Sequence, residues 1–444
     1  MSAQRYFNEH IETARPEALR EMQEAKLRTQ VAYLLAHSGF AAEQLRTAGV
    51  LPGDIATLED LARLPFTTKQ DLRASQAAEP PLGRHAAASL RDVVRVHASS
   101  GTTGVPSYVG VTERDRGQWA DAVARAYWSQ GLRPDSVLAM GFGMGFFVGG
   151  LPISEAATLI GCTFIPVGTG ASDRLLSASA ALRADCLTCT PSYASYLVEF
   201  ARDKLGLDVG TLGIRHVFVG AEPGAGIPAV RAQLQAAWNA NVSESVGNAD
   251  VIPIHSAECE MRAGNHFLVP DYLILEIIDP ATGVVKPLDG PVVTGEMVFT
   301  HIDRQCVPLL RFRTYDHVEV YTLPCACGRT GPRIRCIGRT DDLLIVRGTN
   351  VWPSAIKDVV MSLRPRINGE VQILLDHPGP AVSPPLRLRI EAEGDPGVLK
   401  QLQCEVQNLL RAKLIVSTLV EIVPVGTLPR FEMKAKLIRK LYEE

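Results

Sequence analysis

The sequence predicts an α/β protein: a large N-terminal part with several sheets and flanking helices, followed by a smaller α+β part. Three observations carry this. Beyond Pro65 short apolar runs alternate with helical patterns, the signature of buried strands between helices. From residue 272 to residue 300 the helices thin out and strand-like runs dominate. Beyond Gly338 the texture changes again, to apolar runs around a single long helix.

Taken in order, residues 16 to 38 begin with Pro16 and set Leu19, Met22, Leu27, Val31 and Leu34 at roughly helical spacing, which predicts an amphipathic entry helix. Strands are expected at 137–140, 163–167, 186–189 and 216–219, with helical patterns between them. Further strands are expected at 272–278 and 297–300, the first closed by the acidic, glycine-bearing turn DPATG. In the last part the runs 371–375, 386–390 and 419–423 read as strands. Between them a helix begins at Asp395, an expected N-cap, with Pro396 at the first helical position and Leu399, Leu402, Val406, Leu409 and Leu410 as its buried stripe. Residues 377–385 are proline-rich and read as a mobile loop. A boundary near Gly338 divides the chain into domains 1–338 and 339–444. Neither an internal repeat nor a low-complexity tail is visible.

The 444 residues are 46% hydrophobic and 21% charged, enough for two real cores. A net charge of −3 without a basic stripe argues against nucleic acid as a partner. The N-terminus lacks a basic-then-apolar signal, and no apolar run approaches the ~20 residues a bilayer requires, so a cytoplasmic protein with no membrane partner is expected. Nine cysteines, an odd number, argue for reduced thiols, some of them metal-bound.

The run from His97 to Ser107, HASSGTTGVPS, concentrates glycines and hydroxyls where a backbone can wrap a polyphosphate. It lacks the lysine of a Walker A loop, and a Ser/Gly-rich surface turn is the bland alternative. Ser99, Ser100, Gly101, Thr102, Thr103 and Gly104 are the candidate phosphate-side residues. His97 has two roles open, polarising a substrate or closing a strand end.

Further segments stand in order along the chain: LPFTTKQDLR, TPSYASYL, Gly220-Ala221-Glu222-Pro223, LLRFRTYDHVEV, IGRTDDLLIVRGTNVWP and the terminal LPRFEMKAK. With the run His97–Ser107, this series resembles the phenylacetate–CoA ligase family of adenylate-forming enzymes over nearly the whole chain. The resemblance implies ATP-dependent activation of an aromatic carboxylic acid to an acyl-adenylate, then transfer to CoA with release of AMP and pyrophosphate, magnesium accompanying ATP. An acceptor thiol on a carrier protein is the alternative second step, and a binding protein without turnover is a further one. A homodimer is left open.

The resemblance also implies roles by position. Lys434 matches the catalytic lysine, with Lys436 as competitor, carried on a mobile lid domain. Asp316 matches the aspartate that grips the ribose hydroxyls, and Arg339 reaches the same nucleotide. Gly220, Ala221, Glu222 and Pro223 line adenine and the acid. Asp341 matches the hinge, and Arg347, Gly348, Thr349 and Asn350 face CoA. Asp250 stands where a magnesium-holding glutamate is usual. Phe142, Phe146 and Phe147, with Gly220, offer a flat apolar slot for an aromatic ring. The chain departs from the family at Val105, where lysine is common, and at Val246 and Ala249, which replace a tyrosine and a hydroxyl.

Two cysteine patterns need separate readings. Cys325 and Cys327 with His255 and Cys259 make a Cys3His set, expected to hold a structural zinc ion. Cys186 and Cys189 form a Cys-x-x-Cys, but three-residue spacing in a strand sends the two thiols to opposite faces, so this pair reads as core.

Overall fold

The computed structural model describes residues 4–99, 107–347, 349–430 and 437–443, and for Pro52 and Asp341 the backbone alone. Eleven strands form one mixed sheet. From one edge its order is Leu273–Ile278, Val292–His301, Phe312–Tyr321, Arg333–Arg339, Asn265–Phe267, Ile252–Glu258, Asn241–Asn248, His216–Gly220, Cys186–Cys189, Val137–Met140 and Thr163–Ile165. The last five of these are parallel to one another, and every remaining pairing is antiparallel. The parallel half is where helices alternate with strands. Its strands are apolar on both faces because both are covered.

Cys186–Cys189 shows this directly. All four residues are buried, and Cys186 packs in the cluster around Tyr127 and Phe218 while Cys189 packs in the cluster around Leu197 and Trp238. The two thiols therefore serve different cores, as strand parity requires.

The antiparallel half begins with Ile252–Glu258, one strand past the last helix of the large sheet, Pro228–Trp238. Its core joins Trp119, Phe267, Phe299 and Phe312. The helix Pro16–His37 lies over this half through Leu27, Val31 and Leu34, with Leu19 and Met22 only half-buried. A two-stranded ribbon, Val93–Ala98 with Tyr108–Thr112, stands apart from the large sheet and carries the edges of the Ser/Gly-rich loop.

Past Arg339, strands join two smaller sheets: Thr349–Val351, Leu344–Val346 and Ala381–Val382 in one, Thr418–Val423, Leu386–Glu391, Val371–Leu375 and Ile438–Lys440 in the other. A separate apolar cluster built on Ile356, Ile373, Leu388 and Val406 fills this part. Its long helix spans Pro396–Leu414 with Pro396 in the first turn. Asp395 occupies the N-cap position but makes no side-chain capping bond, so the start depends on proline rather than on a cap. The expected loop 377–385 contains the short strand Ala381–Val382, pinned parallel to Leu344–Val346. Among the described residues, no helix is long and apolar enough to cross a membrane.

Candidate functional site

The carboxyl ends of the parallel strands define a crevice, the usual place for ligands in open α/β sheets. His216–Gly220 delivers the GAEP segment there. A side chain at Gly220 would meet the Ser245 carbonyl at 2.9 Å, so glycine permits the close approach of the neighbouring strand. Ala221 follows in the left-handed region (φ +73°), a conformation that costs a non-glycine residue energy and turns the chain sharply. Glu222 is buried, and its Oε1 accepts from the Ser192 amide at 2.7 Å, joining GAEP to the first turn of the helix Pro191–Phe200 in TPSYASYL.

The Ser/Gly-rich run enters from the two-stranded ribbon. Ser99 and Ser107 close its neck, with Oγ atoms 2.8 Å apart and the Ser99 amide donating to the Ser107 carbonyl at 3.0 Å. Ser100, Gly101, Thr102, Thr103, Gly104 and Val105 lie outside the described residues. Ser107 Oγ donates to Asp250 Oδ1 at 3.2 Å, and the other oxygen of that buried carboxylate pairs with Lys69 Nζ. Lys69 opens the helix Lys69–Ala78, held by a Thr68–Asp71 capping box. Burial pulls the Lys69 ammonium below its ordinary range, Asp250 opposes that, and Arg73 and Arg339 add to it. This half-buried lysine already has its charge met by Asp250, and the two further cations add positive charge that suits an anion. His97 sits at the ribbon's end, its Nδ1 3.3 Å from the Phe146 carbonyl and its ring beside Trp119; burial lowers its pKa.

Asp316 and Arg339 face each other across the ladder between Phe312–Tyr321 and Arg333–Arg339, and Arg339 Nη1 donates to Asp316 Oδ1 at 3.2 Å. The preceding Tyr315 is in the left-handed region (φ +61°), and the Asp316 amide donates to Thr314 Oγ1 at 3.1 Å. Gly338, beside Arg339, is required by packing: a Cβ there would lie 1.9 Å from the Trp352 indole. Asp341 lies in the short turn Thr340–Asp342. Arg347 is exposed with φ +50°, between the strands ending at Val346 and starting at Thr349; Thr349 is half-buried and Asn350 exposed. Gly348 lies outside the described residues, as do Lys434 and Lys436.

The three phenylalanines do not converge. Phe142 packs into the core cluster with Met140 and Ile153, whereas Phe146 and Phe147 are 49% and 38% exposed. Phe146 instead stands 5.7 Å from Tyr108 of the ribbon, centroid to centroid.

The cysteine cluster is real but its histidine is a different one. Cys259, Cys325, Cys327 and His266 bring one donor atom each within 4.8 Å of the others. Cys259 and Cys325 Sγ are 3.8 Å apart, close to the edge of about 3.8 Å that a zinc–thiolate tetrahedron requires. Cys327 Sγ is 3.3 Å from His266 Nε2, and His266 Nδ1 faces the Gly331 carbonyl at 3.1 Å, which leaves Nε2 for a metal. Contact with the Cys259 thiol, then with His266, holds the Cys327 thiol far below its usual range. His255 is the correction. Its Nδ1 pairs with Ser256 Oγ at 2.8 Å and its ring packs on Phe299, in the interior. Four residues along an extended strand is about 13 Å, too far for His255 and Cys259 to share an ion. His266 reaches the cluster from the adjacent strand, opposite Ala257.

Lys69 and His266 are thus the functional candidates that sequence reasoning passed over. Lys69 lay within LPFTTKQDLR, where its partner 181 residues away was invisible. His266 depends on the pairing of two antiparallel strands, which no spacing rule encodes.

Residues 348–440 match the family described as AMP-binding enzyme C-terminal domain. Over 444 residues the chain is 35% identical to the phenylacetate-coenzyme A ligase of Thermus thermophilus, covering 96% of this chain and 97% of that relative. Among solved structures, 2-hydroxyisobutyryl-CoA ligase in its postadenylation state with R3-HIB-AMP superposes with a TM-score of 0.92 at 27% identity, covering 100% of this chain and 94% of that one. The same enzyme with 2-HIB-AMP and CoA in the thioesterification state gives a TM-score of 0.74 at 28% identity, over 99% and 93% of the two chains.

Proposed function

Because this chain belongs to the phenylacetate–coenzyme A ligase family and is thereby an AMP-forming acid–CoA ligase, we propose that the acid it activates is an aromatic carboxylic acid. One observation supports the assignment of the nucleotide site: Arg339 pairs with Asp316 across the ladder, while Lys69 and Asp250 form a second pair at the neck of the Ser99–Ser107 run. Two cations and two carboxylates, Asp316 and Arg339 on neighbouring antiparallel strands and Lys69 and Asp250 at the neck of the Ser/Gly-rich run, suit a ribose on one side and a polyphosphate on the other.

In the first half-reaction the substrate carboxylate attacks the α-phosphorus of ATP, the bond to the bridging oxygen breaks, and pyrophosphate leaves. Both reactants are anionic, so the protein's contribution is alignment and charge neutralisation. In our reading Asp316 accepts the ribose hydroxyls, and Arg339 meets the phosphates. The run Ser99–Ser107 and Lys69 receive the leaving pyrophosphate, and Lys434 brings a further positive charge to the carboxylate and α-phosphate. Lys69 thus supplies on this side the charge that Val105 does not. Magnesium would accompany ATP and neutralise its phosphates, and Asp250, whose oxygens here accept from Ser107 and pair with Lys69, would be the carboxylate to hold it. In the second half-reaction the thiolate of CoA attacks the acyl carbon and AMP departs with the electron pair.

The division into 1–338 and 339–444, with Asp341 as hinge, belongs to the same proposal. The present arrangement is read as the adenylating one, supported by the closer superposition on a postadenylation structure. Arg347 and Asn350 are then exposed, with Thr349 half-buried between them, and the segment takes up CoA after rotation. Of the residues expected around the acid, Gly220 is kept as its border, whereas Phe142 belongs to the core and Phe146 and Phe147 are exposed. The Cys259–His266–Cys325–Cys327 set fits zinc: three thiols and one imidazole with a backbone-oriented ring leave no position open for water, which makes the ion structural.

The test is a panel of benzoate, phenylacetate and hydroxy- or amino-substituted aryl acids, alongside short aliphatic acids, assayed for AMP release and for the CoA thioester by mass spectrometry. Aryl acids should give the highest kcat/KM. Preference for an aliphatic acid would overturn the aromatic assignment, and AMP release with a carrier-protein thiol but not CoA would overturn the acceptor.

A further inference from the structure

We propose that Glu199 is a positioning residue for adenylation: through Arg430 it holds the 348–440 domain in the present arrangement, and it lets go before thioester formation. The inference rests on reading this arrangement as the adenylating one.

Arg430 is the last described residue before the segment that carries Lys434. Its guanidinium is anchored within its own domain. Nη1 and Nη2 donate to the Glu391 carboxylate at 3.1 and 2.8 Å, and that carboxylate also accepts from the Leu428 amide at 2.6 Å and from Asn368 Nδ2 at 2.5 Å. Glu391 is fully buried, so this grip is permanent. One edge of the guanidinium remains, and Nε donates across to Glu199 Oε2 at 3.4 Å.

Glu199 lies near the end of the helix Pro191–Phe200, whose first turn gives the Ser192 amide to Glu222 of the GAEP segment. A single rigid helix of the large domain therefore touches the nucleotide crevice at one end and the small domain at the other. Nearby, Met361 of the small domain packs into the large-domain core with Leu197 and Val230. Among the described residues the seam thus has an apolar peg in Met361 and an ion pair in Glu199–Arg430.

The ion pair is built for release. The Glu391 side of Arg430 is dry, but the Glu199 side chain is 36% exposed, so water solvates it as soon as the domains part. Partly exposed pairs are individually weak and reversible, which suits a contact broken once per turnover. Lys357, Arg364 and Glu370 are the other charged groups lining this cleft, Lys357 acting on Glu370. Arg364 adds attraction for Glu199, and Glu370 repulsion.

The experiment compares the wild type with Glu199→Gln and Glu199→Lys. Acid-dependent pyrophosphate exchange reads adenylation, and thioester formation from supplied acyl-adenylate and CoA reads the second step. Domain arrangement is read apart from activity, by distances between genetically encoded spin labels at the exposed positions 182 and 398. We expect exchange to fall up to about fivefold in Glu199→Gln, the scale of a partly exposed ion pair, and further in Glu199→Lys, with the second step unchanged or faster. The label distances should shift away from the present arrangement in the same order. Glu199→Gln keeps the side chain's shape, so it decides the matter if the lysine variant folds poorly. Unaltered distances in both variants, or an equal fall in both half-reactions, would overturn the proposal. A wild type that activates no acid would instead overturn the function above, while the distances would still report on the contact.

Discussion

Arg339 reaches across the ladder from the last strand of the large sheet to hold Asp316 Oδ1 at 3.2 Å, so two residues 23 positions apart act as one polar unit. Asp316→Asn retains the shape but weakens acceptance from two ribose hydroxyls. Charge-assisted hydrogen bonds contribute about 1.5–3 kcal/mol, so kcat/KM for ATP should fall roughly 10- to 100-fold, with Tm nearly unchanged. Steady-state kinetics in ATP check this, and an unaltered kcat/KM would remove Asp316 from the nucleotide site.

The Lys69–Asp250 pair separates charge from stability. Lys69→Met leaves the buried Asp250 carboxylate without its cation and should cost about 3 kcal/mol. Combining it with Asp250→Asn should restore most of the stability but not adenylation. Chemical denaturation and pyrophosphate exchange on the same samples measure both. Recovery of exchange in the double variant would show that Lys69 serves the fold alone.

Metal content distinguishes the two histidines. His266→Ala should lose zinc by elemental analysis, while His255→Ala should retain it and be destabilised only through the cavity beside Phe299. The opposite pattern would reinstate the sequence assignment.

Acid should destabilise the fold through buried neutral histidines. His301 accepts the Leu309 amide at Nδ1 (3.1 Å) and donates from Nε2 to the Val251 carbonyl at 3.0 Å, an arrangement available to the neutral ring only. Burial lowers its pKa to about 4, and lowers those of His85 to about 4 and His255 to about 3. The unfolded chain binds protons near pH 6.5 while the folded chain does not, so this stability is complete above pH 6.5. It is lost as pH falls from there toward 4, by about 1.4 kcal/mol per pH unit for each histidine. His301→Gln, which can imitate both bonds, should flatten the dependence of Tm on pH between 6.5 and 4.5. An identical slope in the variant would exclude His301.

Lys434→Ala should abolish adenylation and leave thioester formation from supplied acyl-adenylate largely intact. Rapid quench of each half-reaction decides it, and equal losses would contradict the role given to this lysine.

What was legible in the sequence follows from what each signal depends on. The parallel strands were visible because strands covered on both faces read as continuous apolar runs, and strand parity correctly sent Cys186 and Cys189 into different cores. The ordered motifs located Asp316 and Arg339, whose pairing only the ladder reveals. His255 failed because a short sequence interval was read as a short distance, which holds on a helix or turn but not along a strand. Lys69 and Asp250 carry no mutual signal at 181 residues' separation. The phenylalanines of GFGMGFFVGG were identified by type, and side-chain direction in a glycine-rich loop is not a property of type.

The cysteine–histidine cluster lies against residues that are synthesised long before it. Tyr6 donates its hydroxyl to the Cys327 carbonyl at 2.9 Å, and the buried Glu12 carboxylate holds Arg329 at 2.7 Å. Farther along, Gln30 donates to the Arg304 carbonyl at 2.9 Å. Residues 6 to 30 therefore leave the ribosome some 270 to 320 positions ahead of the groups that seat them. They must be kept from non-native contacts until those groups appear, since distant pairings form late. Residues 6 to 30 are therefore among the last to settle, and a growing chain truncated before Cys325 would have neither the cysteine–histidine cluster nor a dock for them.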